Sequence, residues 1–245
     1  MRSFFSIILL SLFISCSSSA EEDKSISSTN EALLALDTAN YNVGFLIMHG
    51  VFNSELTAPY DIFHHTIFRD DIKPMNVFTV ANSKEPVTSF EGLKILPDFD
   101  YLTDDLPKID ILVVPSAEHH LDSDLEDTAM LNFVKTTAKT AMYVTSHCDG
   151  AFVLAKAGLL DDVICTTFPG DVQAMRDMFP HLDVRDSTLF VHDGKFITSA
   201  GGAKSFEAAL YLCELMYGKQ NADDIAEGMV IDWDLDSVPH TIIRH

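Results

Sequence analysis

Along most of the chain, short runs in which nearly every residue is apolar alternate with longer stretches where apolar positions return every three or four residues. Val43 to His49 (VGFLIMH), Met75 to Ala81 and Ile109 to Val114 (IDILVV) are runs of the first kind, as expected of strands covered on both faces. Ala141 to Thr145 is another, and Leu189 to His192 and Phe196 to Ser199 are two shorter ones. The helical period predicts helices over Thr57 to Phe68, Leu121 to Thr137, Ala151 to Ala157, Gly170 to Phe179 and Ser205 to Tyr217. In the second of these, Leu125, Met130, Leu131, Phe133 and Val134 share the spacing, and Asp and Glu crowd the start, where the helix dipole favours them. Gly158 closes the third. Pro and Gly punctuate the stretch through Val87, Leu93 and Pro97, which reads as a small hairpin. The C-terminal DWDLDSVPHTIIRH follows neither period and is expected to lie over the domain as an irregular segment. Strands and helices alternating in this way predict a mostly parallel sheet with helices on both faces.

The first residues follow another logic. Arg2 precedes the apolar run Phe4 to Ile14, which is too short to span a bilayer and has the length of a signal-peptide core. Its end, Leu12-Phe13-Ile14-Ser15-Cys16, resembles the lipobox of bacterial lipoproteins, with Phe13 where leucine is usual; lipidation at Cys16 is therefore expected. Cleavage after Ala20, behind Ser18-Ser19, is the alternative, and it would give a soluble secreted or periplasmic protein. The serine-rich, acidic stretch after Cys16 reads as a flexible tether. The expected organisation is a signal peptide over 1–15, an acylated tether over 16–40 and one globular domain over 41–245 in an exported, membrane-anchored lipoprotein.

Charge narrows the partners. Thirty-seven acidic against sixteen basic residues give a net charge of −21, which repels nucleic-acid backbones and anionic lipid headgroups. Membrane contact is then expected only through the lipid anchor. With Cys16 set aside, Cys148, Cys165 and Cys213 remain, and three thiols are not a disulfide scaffold. Cys165 and Cys213 sit in apolar surroundings and read as small buried hydrophobes.

Open α/β sheets carry their sites at the carboxyl ends of strands, and three such ends offer reactive groups. In TSHCDGAF, Cys148 stands at a strand-to-helix turn where the dipole lowers a thiol pKa and the next main-chain N–H groups are free to bind an oxyanion. A reactive thiol and a buried structural one fit that pattern equally. Glu55, at a helix entrance, is by itself a dipole-complementing carboxylate, and beside Cys148 it becomes a proton shuttle. His119 and His120 follow the strand IDILVV, with no ligand partner at metal spacing, so no metal is expected. His147 precedes the cysteine in the strand and is expected to face away from it.

These segments together resemble the ThiJ/PfpI superfamily, which has the fold of the class I glutamine amidotransferases. The resemblance runs from SELTAPYDIF through IDILVVP, VTSHCDGAFVLAKAGLL and TTFPGD to FITSAGGAKSFEAALYLCELMYG. It looks closest to the branch holding isonitrile hydratases and the N-terminal domains of AraC-type regulators. It implies a flavodoxin-like three-layer α/β/α sandwich and a homodimer, with Cys148 as nucleophile on an elbow and Glu55 as the acid beside it. The main-chain N–H groups of Asp149 and Ala117 would form the oxyanion hole. Asp149 stands where isonitrile hydratases carry a threonine implicated in catalysis, and its carboxylate would raise the thiol pKa against the dipole. This chain departs from the usual pattern at Phe168, where many members have histidine, and at Pro115-Ser116-Ala117, where Pro-Gly-Gly is usual. His119 or His120 is the candidate auxiliary base in the missing histidine's stead.

The function expected is a cysteine-dependent hydrolase or hydratase of a small uncharged or cationic molecule, needing no cofactor. The alternative is a redox-responsive or ligand-binding protein whose catalytic set has decayed. DNA-binding regulation is disfavoured by the acidic charge and by the 27 residues after Gly218, too few for paired helix-turn-helix motifs.

Overall fold

The computed structural model describes residues 36–244. The expected signal peptide, the lipidation residue Cys16 and most of the tether lie outside them. In chain order the elements are β1 (Tyr41–Leu46), α1 (Asn53–His64), β2 (Met75–Ala81), β3 (Val87–Thr88), β4 (Lys94–Ile95), β5 (Phe99–Asp100), β6 (Ile111–Val114), α2 (Thr128–Thr140), β7 (Tyr143–His147), α3 (Gly150–Lys156) and β8 (Ile164–Cys165). There follow α4 (Val172–Met178), β9 (Asp183–Val184), β10 (Phe190–Asp193), β11 (Phe196–Ser199), α5 (Ser205–Tyr217), α6 (Lys219–Gly228) and β12 (His240–Ile242). Eight strands form one sheet in the order β12-β10-β11-β7-β6-β1-β2-β5. All neighbours pair parallel except β10 and β11.

The apolar runs are buried on both faces because the strands alternate between two cores. Val43 and Phe45 of β1 and Ile111 and Val113 of β6 pack with residues of α1, α5 and α6. Leu46, Leu112 and Val114 point the other way, among residues of α2, α3 and α4. Phe45, Phe63, Phe78, Phe152 and Phe190 are fully buried across the two layers, each contributing about 1.5–3 kcal/mol. The result is the three-layer α/β/α sandwich.

Several boundaries shift for identifiable reasons. The first helix begins at Asn53 rather than Thr57, because Phe52 N–H is tied to Ser116 O at 3.0 Å and the chain turns helical directly after it. A 3-10 turn, His65–Phe68, completes the predicted span. The helix expected over Leu121 to Thr137 is broken, since Asp127 caps a new start by accepting from Ala129 and Met130 N–H at 2.9 and 3.0 Å. Ahead of it lies a separate 3-10 turn at Ser123–Glu126.

The C-terminal segment is not simply an irregular cover. Ahead of that segment, after Gly218 ends α5 with a φ of +84°, a helix with no expected counterpart buries Ala222, Ile225 and Ala226 on one face. His240–Ile242 then extends the sheet, pairing with β10 and stacking the His240 ring on Phe190.

Candidate active site

Four chain segments meet at the carboxyl ends of β1, β6, β7 and β11. The loops after β1 and β6 are zipped together: Val51 bridges Ala117, Glu118 N–H donates to Gly50 O and Phe52 N–H to Ser116 O, both at 3.0 Å. This pairing carries Glu55, in the first turn of α1, and Ser116 to the end of β7, where Cys148 stands.

Cys148 adopts φ +53°, a left-handed conformation that costs a non-glycine residue about 1–2 kcal/mol and persists only where the surroundings impose it. They do so here. Cys148 N–H donates to Ser199 O at 2.9 Å, and the Thr167 hydroxyl lies 3.0 Å from Cys148 O. Two glycines let backbone come this close: a Cβ on Gly150 would sit 2.0 Å from Val114 O, and one on Gly201 would sit 2.4 Å from Cys148 Cβ. Sequence TSHCDG thus forms a strained elbow, clamped from β6 and from the loop after β11.

Around the thiol the groups are buried and acidic. Glu55, Asp149 and Ser116 are all buried, and Cys148 is 7% exposed. The Glu55 carboxyl lies against the thiol, its Oε1 accepting from Gly202 N–H at 3.0 Å. Burial pushes this carboxyl up from 4.5 to about 7. Asp149 Oδ2 is 3.7 Å from Cys148 Sγ, and its carboxyl is raised to about 6, first by burial and then by the nearby Asp171. Thr167 has one hydroxyl hydrogen for two acceptors, Cys148 O at 3.0 Å and Asp149 Oδ1 at 3.1 Å. The Thr167 hydrogen bond to Asp149 Oδ1 holds the Asp149 pKa down, and burial and Asp171 outweigh it. Burial, then the charges of Glu55 and Asp149, push the thiol well above its ordinary range, outweighing the N–H of Asp149 that faces it. The lowering expected from the helix N-terminus is overridden, and Asp149 raises the thiol as expected of a second carboxylate there.

The two candidate bases are placed differently from one another. His120 is fully buried, and burial holds it neutral, its pKa lowered to about 3. Its Nδ1 accepts the Ala117 N–H at 3.2 Å, so the main-chain group expected to face an oxyanion is directed at a ring nitrogen. His119 stays at the surface beside Asp122 and Glu118. His147 points away from the thiol, its Nδ1 3.0 Å from Ser199 Oγ. Phe168 is exposed, and its ring packs over Gly170. Three residues that sequence reasoning passed over complete the site: Thr167, Gly201 and the side chain of Ser116. The double glycine of SAGGAKS was the available signal for the second.

The sequence matches the DJ-1/PfpI family over residues 41–215. The chain belongs to the DJ-1/PfpI family. Among curated relatives, this DJ-1/PfpI chain is 32% identical to an isonitrile hydratase of Pseudomonas putida over 183 residues, covering 74% of each. It is 27% identical to the HTH-type transcriptional regulator GbdR of Pseudomonas aeruginosa over 154 residues, 63% of this chain and 41% of the regulator. Among solved structures, a ThiJ/PfpI family protein from Pseudomonas syringae superposes with a TM-score of 0.69 at 23% identity, covering 90% of this chain and 85% of that one. Within this DJ-1/PfpI fold no group of three or more His, Cys, Asp or Glu is placed to hold a metal ion among the described residues.

Proposed function

We propose that this DJ-1/PfpI protein is a cysteine-dependent hydratase of small uncharged molecules, of the kind that converts an isonitrile to a formamide. The observation that carries the reading is the Glu55 carboxyl against the Cys148 thiol, raised to about 7 so that both its protonation states are populated near neutrality. The hydratase of Pseudomonas putida, at 32% identity, supports the substrate class.

An isonitrile has a basic terminal carbon. Neutral Glu55 gives its proton to that carbon, and Cys148 Sγ attacks the resulting nitrilium carbon while its own proton passes to the Glu55 carboxylate. The product is a thioformimidate, R–N=CH–S–Cys148. Glu55 then protonates the nitrogen as water adds to the carbon, and the carboxylate takes the proton from that water. The tetrahedral adduct R–NH–CH(OH)–S–Cys148 collapses to the formamide, expelling the thiolate, which recovers the hydroxyl proton. One water is consumed and no electrons are transferred. A single carboxyl cycling between acid and base accounts for a site with Phe168 in the usual histidine position.

Replacing Cys148 with Ser is expected to lower turnover of an alkyl isonitrile to its N-alkylformamide by at least about 100-fold, the scale of losing a covalent nucleophile. Unaltered turnover in that variant refutes the assignment. The raised thiol pKa favours a second reading, a ligand-binding protein with an inert cysteine. Under it, the wild type would neither turn over isonitriles nor react with alkylating agents below about pH 9. The exposed apolar residues Phe90, Leu93 and Leu96 on the hairpin beside α1 support a homodimer, and the lipobox-like Cys16 supports a membrane anchor.

A further inference from the structure

Ala117 sits where a main-chain N–H would help to bind an oxyanion, and that N–H is engaged. It points at His120 Nδ1, and the residue does not take the left-handed φ: among the described non-glycine residues only Cys148, Ser187 and Val230 do. On either side, Ser116 O receives Phe52 N–H and Glu118 N–H goes to Gly50 O. His120 cannot readily let go, because it is fully buried and neutral, and its Nδ1 must stay unprotonated to accept. Its ring also reaches the main chain of Asp149 and lies 3.3 Å from Met48 Sδ. His120 is therefore a positioning residue that fixes the loop with its N–H turned aside.

What the loop offers the thiol instead is a side chain. Ser116 is fully buried, its hydroxyl is turned toward Cys148 Sγ as a donor, and its Oγ accepts from no N–H or O–H group among the described residues. A buried hydroxyl whose acceptor side is left unfilled costs up to about 1–3 kcal/mol, and such a group persists where a ligand supplies the missing bond. We propose that the Ser116 hydroxyl, together with Asp149 N–H, binds the oxygen that develops on the carbon attached to Cys148, replacing the Ala117 N–H. A main-chain N–H only donates. A hydroxyl accepts from the attacking water and, after rotating, donates to the same oxygen once it is bonded to carbon. This suits a reaction in which the oxygen arrives from water rather than with the substrate. The inference rests on Cys148 being the nucleophile, and the experiment separates the two.

An aliphatic aldehyde such as propionaldehyde adds reversibly to a thiol, the S–H proton ending on oxygen to give R–CH(OH)–S–Cys148, so its binding reports donors at that oxygen. Iodoacetamide alkylation reports the thiol alone. Peptide-resolved alkylation of Cys148 is followed with increasing aldehyde in the wild type, Ser116→Ala and Ser116→Thr. With each protein's protection scaled to its own alkylation rate without aldehyde, Ser116→Ala is expected to raise the half-protecting aldehyde concentration about tenfold or more. Ser116→Thr, which keeps the hydroxyl, should fall between wild type and alanine. Equal protection in wild type and Ser116→Ala, or no protection of a wild type that alkylates normally, overturns the role of Ser116 and leaves the nucleophile standing. A wild-type Cys148 that resists alkylation up to about pH 9 overturns the nucleophile and the Ser116 role with it.

Discussion

Glu55 stores free energy that a conservative substitution should release. Its carboxyl titrates at about 7 against an ordinary 4.5, with burial as the first cause. At about 1.4 kcal/mol per pKa interval, the folded state prefers the neutral form by about 3 kcal/mol. The sign follows from linkage. The folded protein holds this proton more tightly than the unfolded chain, so the native state is unpenalised below pH 4.5, loses stability as pH rises toward 7, and carries the full cost above it. Glu55→Gln keeps the length and the oxygen that accepts Gly202 N–H, and it stays neutral throughout. At pH 8 the variant should exceed the wild type by about 2–3 kcal/mol, or about 5–10 °C in Tm for a chain of this size, and the gap should close near pH 4.5. Urea unfolding of both proteins from pH 4.5 to 8 measures it. Asp149 titrates in both proteins, so the difference between the curves isolates Glu55. A variant less stable than wild type at pH 8, or a gap that does not change with pH, would refute the reasoning. Isonitrile turnover should vanish in the stabilised variant, since the group that costs stability is the one assigned the chemistry.

Three further outcomes are expected. Gly150→Ala places a Cβ 2.0 Å from Val114 O and should cost at least about 3 kcal/mol in urea unfolding, whereas Gly228→Ala, whose Cβ meets nothing within 4 Å, should change stability by less than about 1 kcal/mol; comparable losses would remove the close-approach account of the elbow. Leu96→Glu, at a position 69% exposed beside the apolar hairpin, should convert a dimer to monomer in sedimentation, and an unchanged mass would separate this face from the dimer contact. In a bacterial host, wild-type protein should partition into detergent and Cys16→Ala into the aqueous phase; identical partitioning would end the lipoprotein assignment.

The parts of the fold legible in the sequence are those whose burial writes itself as a run or a period. β1, β2, β6 and β7 are covered on both faces and α5 carries a wide apolar surface, so each left an unmistakable pattern. Helix α6 escaped because its buried face is Ala222, Ile225 and Ala226 in an otherwise charged segment, and β12 because three half-buried residues make no period. In the site, Cys148 and Glu55 were legible from the order of segments. The diversion of Ala117 N–H was not, because it depends on a histidine three residues on folding back under its own loop. Nor was the Ser116 hydroxyl turned toward the thiol, which only the packing of β6 against the elbow defines.

The order of the sheet has a consequence for how the molecule behaves in company. Its long strands lie inside, and its two borders are β5, two residues, and β12, three residues. A border that short presents few free N–H and C=O groups, too few to template a strand from another molecule. The C-terminal residues, by adding β12, seal the outer side of β10, whose apolar Phe190 and Val191 would otherwise stand on an open rim. Trimming the last ten residues should therefore show itself first as clumping on concentration, before any loss of the chemistry at the other end of the strands.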